Sequence, residues 1–423
     1  MQGWADAGSL DDVLADARIL TDPYPAYRRL RAEDPVHWAE PWQAWVVSSY
    51  ADVSAVLRDG VTWSTSRGAQ GRMGWTLDHL EPAQRDELRG IVDHYAVGLL
   101  TSDPPDHTRI KNVVKHQFAP SSIAARRDGM RAMANHLLDG LGEAPEFDFV
   151  AAFAHPLPAL VIHEVMGFPE SDMGQITRWA QDIGAVIDSN RVEFDVAIRG
   201  QRSLTEARAY ISGLIADRQT SPRDDILSVF AASDAMSEAE MINTCTTFLV
   251  GGHETTTALI STGFLWLLRD QQHLQALLDD RSLIVSAVEE FLRIESPNQR
   301  VVRFARNATS IGDQAISPQE PVFVTIGAAN RDPSVFARPD ELDIRRQPNR
   351  HLAFAAGVHS CIGAPLARLE AVVAFEALLD RLAGAELVDE DVVWQPIHGF
   401  RSLERLPVRV TWRATDSRPV DAT

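Results

Sequence analysis

Most long segments of the chain place apolar residues three or four positions apart, which is the spacing of an amphipathic helix. This pattern predicts helices at 25–32, 50–58, 106–118, 122–141, 149–166, 179–187, 196–218, 237–269 and 284–294, with a turn at 188–191. Runs of β-branched and aromatic residues predict strands mainly at 45–48, 300–304, 321–326 and 408–412. The chain is therefore predicted to be mainly α, with small β-sheets.

Composition narrows the class of protein. No repeat or Pro/Ser-rich linker divides the 423 residues, so we predict one large domain. No run of 18 apolar residues occurs, residues 1–20 are too acidic for a signal peptide, and the net charge of −19 argues against nucleic acid and anionic membrane surfaces. The only cysteines, Cys245 and Cys361, rule out a disulfide framework. We expect a soluble, cytoplasmic monomer.

One of these cysteines lies between a glycine-rich loop and the start of an amphipathic helix, in the run Phe354-Ala-Ala-Gly-Val-His-Ser-Cys361-Ile-Gly363. Backbone N–H groups at a helix start favour negative charge, so the sulfur is expected to persist as a thiolate. A thiolate on haem iron favours cleavage of the O–O bond. The alternative is a buried structural cysteine, since free cysteine is often fully buried.

The whole run, continued through Leu-Ala-Arg368 to Glu370, resembles the haem-binding loop of the cytochrome P450 family. The resemblance implies haem b (iron protoporphyrin IX), with Cys361 as the axial iron ligand. It also implies that Phe354 shields the sulfur, that His359 bonds a propionate and that Gly363 lies against the cofactor. One position departs from the family pattern, because Ala355 stands where the family usually has glycine, and alanine tolerates a positive φ poorly.

The resemblance covers most of the chain. It implies the cytochrome P450 fold, a helix-rich single domain with small β-sheets, and places the monooxygenase domain at 23–415. Residues 1–22 would then be an N-terminal extension, and residues 416–423 a flexible C-terminal tail.

A second motif, Gly251-Gly-His253-Glu254-Thr255, lies in the middle of the longest predicted helix, where glycine and threonine oppose helix propensity. Glycine at Gly251 leaves room for a flat cofactor, and a carboxylate beside a hydroxyl can relay protons. The motif resembles the family's acid–alcohol pair, which assigns proton delivery to Glu254 and Thr255. Alternatively, Thr255 only bonds to a carbonyl one turn earlier. His253-Glu254 also opens a zinc-protease motif, but Thr257 replaces its second histidine, which argues against zinc.

Charged residues elsewhere acquire roles through the same resemblance. Glu290 and Arg293 have the i,i+3 spacing of a helical ion pair, which usually lies on a solvated surface. Their position resembles the family's Glu-x-x-Arg pair and implies a buried structural ion pair. His107, Lys111 and Arg303 fall where the family contacts the haem propionates; the alternative for each is a solvated surface charge.

The predicted substrate pocket is mostly apolar. Thr247 and Val250 lie one turn before Gly251, Val301 and Val302 precede the propionate arginine, and Phe400 lies in a loop that resembles the family's last pocket-lining loop. Further candidates for the cavity cap are Trp75, Leu77 and Tyr95. A core role is the alternative for all of them. The set contains no charged anchor, which favours an apolar or aromatic small molecule.

The resemblance implies a haem-thiolate monooxygenase that inserts one oxygen atom from O2 into an organic substrate. Cysteines are too few for an iron–sulfur cluster and no Gly-x-Gly-x-x-Gly fingerprint occurs, so we expect electrons from a ferredoxin and a ferredoxin reductase fed by NAD(P)H. We expect this partner to dock over Cys361, near Arg109, Lys111, Lys115 and Arg346. The alternatives are a peroxide-dependent or coupling haem-thiolate enzyme and, from another class, a non-catalytic haem sensor or carrier.

Overall fold

Helices make up most of the computed structural model, which describes residues 8–66, 76–188, 192–390, 392–397 and 399–414. The described α-helices are Leu10–Ala15, Tyr24–Glu33, Tyr50–Arg58, Pro82–Glu87, Arg89–Ala96, Asp106–Val114, Pro120–Ala124, Arg127–Leu141, Pro156–Met166, Met173–Asp188, Phe194–Thr220, Ile226–Ala231, Glu238–Arg269, Gln271–Asp279, Ile284–Ile294, Ile326–Ala329 and Ala364–Arg381. Trp75, most of the turn predicted at 188–191 and the tail at 416–423 lie outside the described residues. Among the described helices, none is long and apolar enough to cross a membrane.

The described strands form three small sheets. In spatial order, the largest sheet contains Val36–Ala39, Ala44–Val47, Pro321–Val324, Val301–Ala305 and Trp63–Ser64. The three-stranded sheet contains Glu146–Asp148, Pro407–Trp412 and Leu382–Leu387, and Thr309–Ile311 pairs with Gln314–Ile316 in a hairpin. The mainly α prediction with small sheets is confirmed.

The longest helix, Glu238–Arg269, runs through the main hydrophobic core and is called the central helix below. It begins at a capping box, in which the Ser237 hydroxyl accepts from the Glu240 N–H and the Glu240 carboxylate accepts from the Ser237 N–H. The helix packs against Pro156–Met166, Met173–Asp188 and Ala364–Arg381. Its predicted range of 237–269 is confirmed.

Three helices predicted as continuous are interrupted or end early in the structure. The helix predicted at 149–166 is divided into a π-helical turn, Val150–Ala154, and the α-helix Pro156–Met166, because Pro156 has no N–H with which to continue the preceding ladder. The helix predicted at 122–141 breaks between Pro120–Ala124 and Arg127–Leu141, and the helix predicted to end at 118 ends at Val114. Local periodicity does not reveal these interruptions.

A fully buried ion pair, Glu290–Arg293, fixes the chain segment that leads into the cysteine loop, residues 351–363. The Arg293 guanidinium donates to both carboxylate oxygens of Glu290 at 2.8 Å and to the carbonyls of Asn330, Pro339 and Glu341. The other donors to Glu290 are the Asp343 N–H, Arg346 and Asn349. Both charges are therefore balanced inside the core.

The neighbouring carboxylate, Glu289, holds the cysteine loop at both ends. It accepts from His351 Nε2 at 3.0 Å on the N-terminal side and from Arg368 Nε at 2.6 Å on the C-terminal side. Burial opposes the charge on Glu289, but these hydrogen bonds outweigh it and lower its pKa to about 2. Glu289 and Glu290 are called the acidic pair below.

We expect Arg293→Ala to lower the free energy of unfolding by about 3–5 kcal/mol, because it leaves the buried Glu290 carboxylate without its principal cation. Urea unfolding followed by far-UV circular dichroism measures this change. Arg89→Ala is the matched control, since Arg89 forms an exposed i,i+3 pair with Asp86, and its loss should cost below about 0.5 kcal/mol. Equal losses in both variants would contradict a dominant role for the buried pair.

Candidate active site

A cavity of about 330 Å³ lies between the central helix and the cysteine loop. Gly251 and Thr255 form part of one wall, and Phe354 and Cys361 form part of the opposite wall. The strand Val301–Ala305 closes a third side. The sequence-predicted residues that line this cavity are Cys361, His107, Lys111, Arg303, His359, Phe354, Gly251, Gly363, Thr255, Thr247, Val301 and Val302.

Three predicted site residues lie outside this lining: Glu254, Val250 and Phe400. Successive residues of an α-helix point about 100° apart, and the residues that immediately precede Gly251 and Thr255 face away from the cavity. Val250 packs against the helix Met173–Asp188, where its Cγ1 lies 3.0 Å from the Cβ position of Gly184. Glu254 instead faces His253, with Glu254 Oε1 3.9 Å from His253 Nδ1.

Phe400 lies beside a separate, smaller pocket that Arg300 and Trp42 also line, and it forms a β-bridge with Asn298. The remaining cap candidates in the described chain, Leu77 and Tyr95, are buried in the main core. The Tyr95 hydroxyl donates to the Ile183 carbonyl, which fixes the ring between two helices. Spacing alone did not distinguish these core positions from the cavity wall.

The cysteine loop is shaped by two positive φ angles. Gly357 has φ +75°, and a Cβ there would lie 2.5 Å from the Leu57 carbonyl oxygen, so only glycine fits. Ala355 has φ +55°, a strained left-handed conformation for alanine, and its N–H donates to the Leu352 carbonyl. The Cys361 N–H donates to the Phe354 carbonyl at 3.0 Å. The loop therefore keeps a left-handed turn at position 355, even though alanine stands there instead of the glycine usual in the family.

The Cys361 side chain is exposed to the cavity, although many protein atoms lie around it. Burial raises the pKa of its thiol, and the Gly363 and Ala364 N–H groups, with the charges of Arg368 and Lys111, offset this only in part. The helix start therefore favours the thiolate, as the sequence predicts, but it does not outweigh burial by itself. A coordinating metal ion deprotonates a thiol outright, so ligation would supply what the helix does not.

Cationic and titratable side chains gather at one edge of the cavity. Lys111 Nζ donates to the Val358 carbonyl at 2.9 Å and the Ser360 carbonyl at 3.3 Å, so it also ties the cysteine loop to the helix Asp106–Val114. The His107 and His359 ring centroids lie 4.2 Å apart. Burial, followed by the charges of His359 and Lys111, lowers the pKa of His107 to about 4.

The last member of this cluster, Arg303, is buried on the strand Val301–Ala305, and its Nη1 donates to the Val302 carbonyl at 2.8 Å. Burial also lowers the pKa of His359, although a hydrogen bond to Asp103 opposes the shift. A bound carboxylate would meet one guanidinium, one ammonium and two imidazoles along this edge. The cluster is therefore chemically matched to the two propionates of a haem.

The two adjacent glycines of the central helix, Gly251 and Gly252, are explained by different surroundings. A Cβ at Gly251 would meet nothing within 4 Å, because this position faces the cavity. A Cβ at Gly252 would lie 2.9 Å from Ile162 Cδ1, so this glycine lets the helix Pro156–Met166 approach closely. The Thr255 hydroxyl donates to the Gly251 carbonyl one turn earlier, as the structural alternative predicts.

These features together test whether a haem fits. A thiol opens toward the cavity from one wall, the opposite wall presents a helix position without a side chain, and cations gather at one edge. The rest of the lining is largely apolar, as a macrocycle requires. The residues present therefore fit haem, and Cys361 is the one cysteine of the chain at the cavity, since Cys245 is fully buried in the core.

Sequence reasoning missed several lining residues: Thr65, Leu99, Leu100, Thr101, Phe118, Ile162, Phe248, Thr256, Leu259, Leu292, Pro297, Asn298 and Ile326. A signal existed for Leu259, because Thr247, Gly251, Thr255 and Leu259 recur at intervals of four and therefore share one helix face. Phe118 and Asn298 reach the cavity only through tertiary packing, for which the local sequence has no signal.

Comparisons with known proteins agree with this geometry. A family model described as cytochrome P450 matches residues 201–390. The chain is 34% identical over 399 residues to the biotin biosynthesis cytochrome P450 of Bacillus subtilis (strain 168), covering 93% of this chain and 98% of that protein. It is also 34% identical over 398 residues to the 6-deoxyerythronolide B hydroxylase of Saccharopolyspora erythraea, covering 92% and 96% respectively.

A solved structure extends the similarity to the fold. The crystal structure of P450BioI in complex with hexadec-9Z-enoic acid ligated acyl carrier protein has a TM-score of 0.85 and 34% sequence identity. The match covers 93% of this chain and 100% of that chain. Relatives above 30% identity thus match almost the whole chain, and its cavity holds the residues that a haem requires. The chain therefore belongs to the cytochrome P450 family.

Proposed function

We propose that this cytochrome P450 uses haem b to insert one oxygen atom from O2 into a small apolar or aromatic substrate, with electrons delivered by a ferredoxin. The observation that carries the proposal is the Cys361 thiol, which opens into an apolar cavity opposite the Gly251 face of the central helix. When bound, haem supplies iron-based activation of dioxygen. The protein residues must then hold the cofactor, exclude bulk water and deliver protons.

Each predicted cofactor residue has a defined part in this proposal. Cys361 provides the thiolate ligand, and Phe354 shields the sulfur. The Arg368 guanidinium lies over the Phe354 ring, 4.4 Å from the ring centroid. His107, Lys111, Arg303 and His359 bind the propionates. Gly251 and Gly363 let the backbone approach the flat faces of the macrocycle.

Proton delivery is assigned to Thr255 and Glu254. Thr255 lines the cavity, but its hydroxyl proton lies on the Gly251 carbonyl, so it must rotate to donate into the cavity. Glu254 lies off the cavity wall with its side chain 26% exposed, in a position to exchange protons with solvent. The carboxylate therefore supplies the proton and the hydroxyl transfers it.

The substrate class follows from the remaining lining. Leu99, Phe118, Phe248, Leu292 and Val301 are apolar, and the charged lining residues are those assigned to the propionates. No charged side chain of the described lining is therefore left to anchor a polar substrate. The polar groups available for orientation are neutral: Thr101, Thr247, Thr256 and Asn298.

The contacts of the predicted docking cations support a narrower surface for a ferredoxin than the sequence predicts. Arg109 is bonded to Asp106 and Glu240, and Arg346 is 9% exposed and bonded to the acidic pair at Glu290, so neither offers a free surface charge. The whole chain contains only two lysines, Lys111, which bonds to the cysteine loop, and Lys115, one helical turn further along the chain. Lys111 caps loop carbonyls, which leaves the exposed Lys115 as the principal docking cation.

The first prediction tests the iron ligand. Reduced wild-type protein with carbon monoxide should show the strongly red-shifted Soret band of a thiolate-bound haem, because Cys361 is the ligand. Cys361→Ser should lose this band. The matched control is Cys245→Ser, since Cys245 is buried away from the cavity and its substitution should leave the band in place. A thiolate-type band that persists in Cys361→Ser would contradict the assignment.

The second prediction tests proton delivery. Thr255→Ala should bind substrate and accept electrons but release a several-fold larger fraction of them as hydrogen peroxide, because the donor hydroxyl is lost. Glu254→Gln should slow turnover and increase the solvent isotope effect. Oxygen consumption, product and peroxide are measured together.

The control is Thr262→Ala on the same helix. The Thr262 hydroxyl also donates to a carbonyl one turn earlier, that of Ala258, but Thr262 lies outside the cavity lining. Full coupling in Thr255→Ala would mean that its hydroxyl is only structural. Full coupling in this variant, together with turnover supported by added peroxide, would favour the peroxide-dependent alternative. Absence of NAD(P)H-linked oxygen consumption with redox partners would instead favour a sensor or carrier.

The third prediction tests the docking surface. A carbodiimide, which joins amines to carboxylates, should link Lys115 to an acidic ferredoxin that supports turnover. Lys115→Arg should lose the cross-link but keep the reduction rate, because the charge remains and the amine does not. Lys115→Glu should slow reduction in stopped-flow measurements at low salt, with little change in substrate affinity. Salt-independent rates and wild-type reduction in Lys115→Glu would place the partner elsewhere.

A further inference from the structure

A second group of metal-binding side chains lies outside the cavity lining, where the central helix meets the start of the helix Pro156–Met166. His155, His253 and Glu254 each offer one ligand atom, and the three atoms all lie within 4.8 Å of one another. His253 is buried, whereas His155 and Glu254 are partly exposed. The ligand atoms therefore converge at a point that solvent can reach.

The hydrogen bonding of His253 already orients it as a ligand. Its Nε2 lies 3.1 Å from the His155 carbonyl oxygen, which can only accept, so Nε2 carries the hydrogen. Nδ1 then keeps its lone pair and lies 3.9 Å from Glu254 Oε1. Metal-bound histidines usually donate their other N–H to a backbone carbonyl or carboxylate in this way. Burial, followed by the charge of His155, lowers the pKa of His253 to about 4, so the ring is neutral near pH 7.

We propose that His155, His253 and Glu254 bind one divalent transition-metal ion of the Zn²⁺ type, at a site separate from the haem. Two imidazoles and one carboxylate form a set that favours zinc over magnesium or calcium, which prefer oxygen ligands. The histidine that the sequence lacks four residues after His253 is supplied by His155, which immediately precedes the helix Pro156–Met166. Solvent fills the remaining coordination position.

The three ligand atoms lie within 4.8 Å of one another, so zinc binding requires them to close by up to about 1.5 Å. Tetrahedral zinc with bonds of about 2.0–2.1 Å holds its ligand atoms about 3.3 Å apart. The separation between His253 Nδ1 and Glu254 Oε1 exceeds this by roughly half an ångström, and His155 and Glu254 can rotate because neither is fully buried. The buried and hydrogen-bonded His253 stays in place as the fixed member.

Occupation of this site would affect the haem chemistry through Glu254, a consequence that rests on the proposed function. The carboxylate that supplies protons would be held ionised by the metal ion and directed away from Thr255. Zinc should therefore slow substrate oxidation without changing the substrate-induced change in the haem spectrum. The site connects metal availability to the proton supply.

The experiment measures zinc binding to the haem-loaded enzyme by isothermal titration calorimetry and by metal analysis after equilibrium dialysis. We expect one tightly bound equivalent in the wild type and at least about tenfold weaker binding in His155→Ala. This variant removes one ligand but keeps the backbone carbonyl that orients His253. His116→Ala, which removes an exposed imidazole from a distant segment, should bind zinc as the wild type does.

Zinc binding tests the metal site, whereas its effect on turnover tests the role of Glu254 in proton supply. Absence of a stoichiometric site in the wild type, or equal zinc affinity in wild type and His155→Ala, would overturn the metal site whatever the activity. Stoichiometric binding that depends on His155 supports the site. If such binding leaves coupled turnover unchanged, the site stands and the role of Glu254 in proton supply falls. Weakened binding in Glu254→Gln would independently support the carboxylate as a ligand.

Discussion

The active site depends on the acidic pair, two neighbouring carboxylates on one helix. Because successive helix residues point in different directions, Glu290 and Glu289 hold different parts of the chain. Glu290, with Arg293, fixes the segment from Asn330 to Asn349, and Glu289 holds His351 and Arg368 on either side of the cysteine. Charges in the core are expensive unless fully paired, so these segments have few alternative positions. The location of Cys361 follows from that restriction.

The central helix separates two kinds of chemistry by its geometry. Residues at intervals of four, such as Gly251 and Thr255, face the cavity, while His253 and Glu254 face the neighbouring helix that begins at Pro156. The acid is therefore next to the alcohol in sequence but lies on another side of the helix. In the proposed function, a proton passing between them would have to move around the helix surface, and the conformation of Glu254 would control that step.

The sequence predicted elements with strong periodicity, including the central helix and Ile284–Ile294, because their apolar stripes reflect the core they face. It also predicted most of the residues that gather at the cavity, through a motif with fixed spacing. It failed where tertiary contacts decide. Arg346 is a residue type that usually lies on the surface, but it is bonded to the buried Glu290. Val250 is next to Gly251 in sequence, but its side chain packs against Gly184. Neither contact has a local signal.

Ala355 links loop shape to cofactor retention. Its left-handed backbone costs about 1–2 kcal/mol relative to an unstrained residue, and glycine would avoid this cost. The backbone at this position therefore does not favour the shape it adopts, and this shape is maintained by the bond to the Leu352 carbonyl and by packing against the buried cluster that contains Val324 and Ile326. Whenever those contacts loosen, the stored strain assists opening. The lifetime of the bound cofactor should accordingly be limited by the frequency with which the surrounding core relaxes.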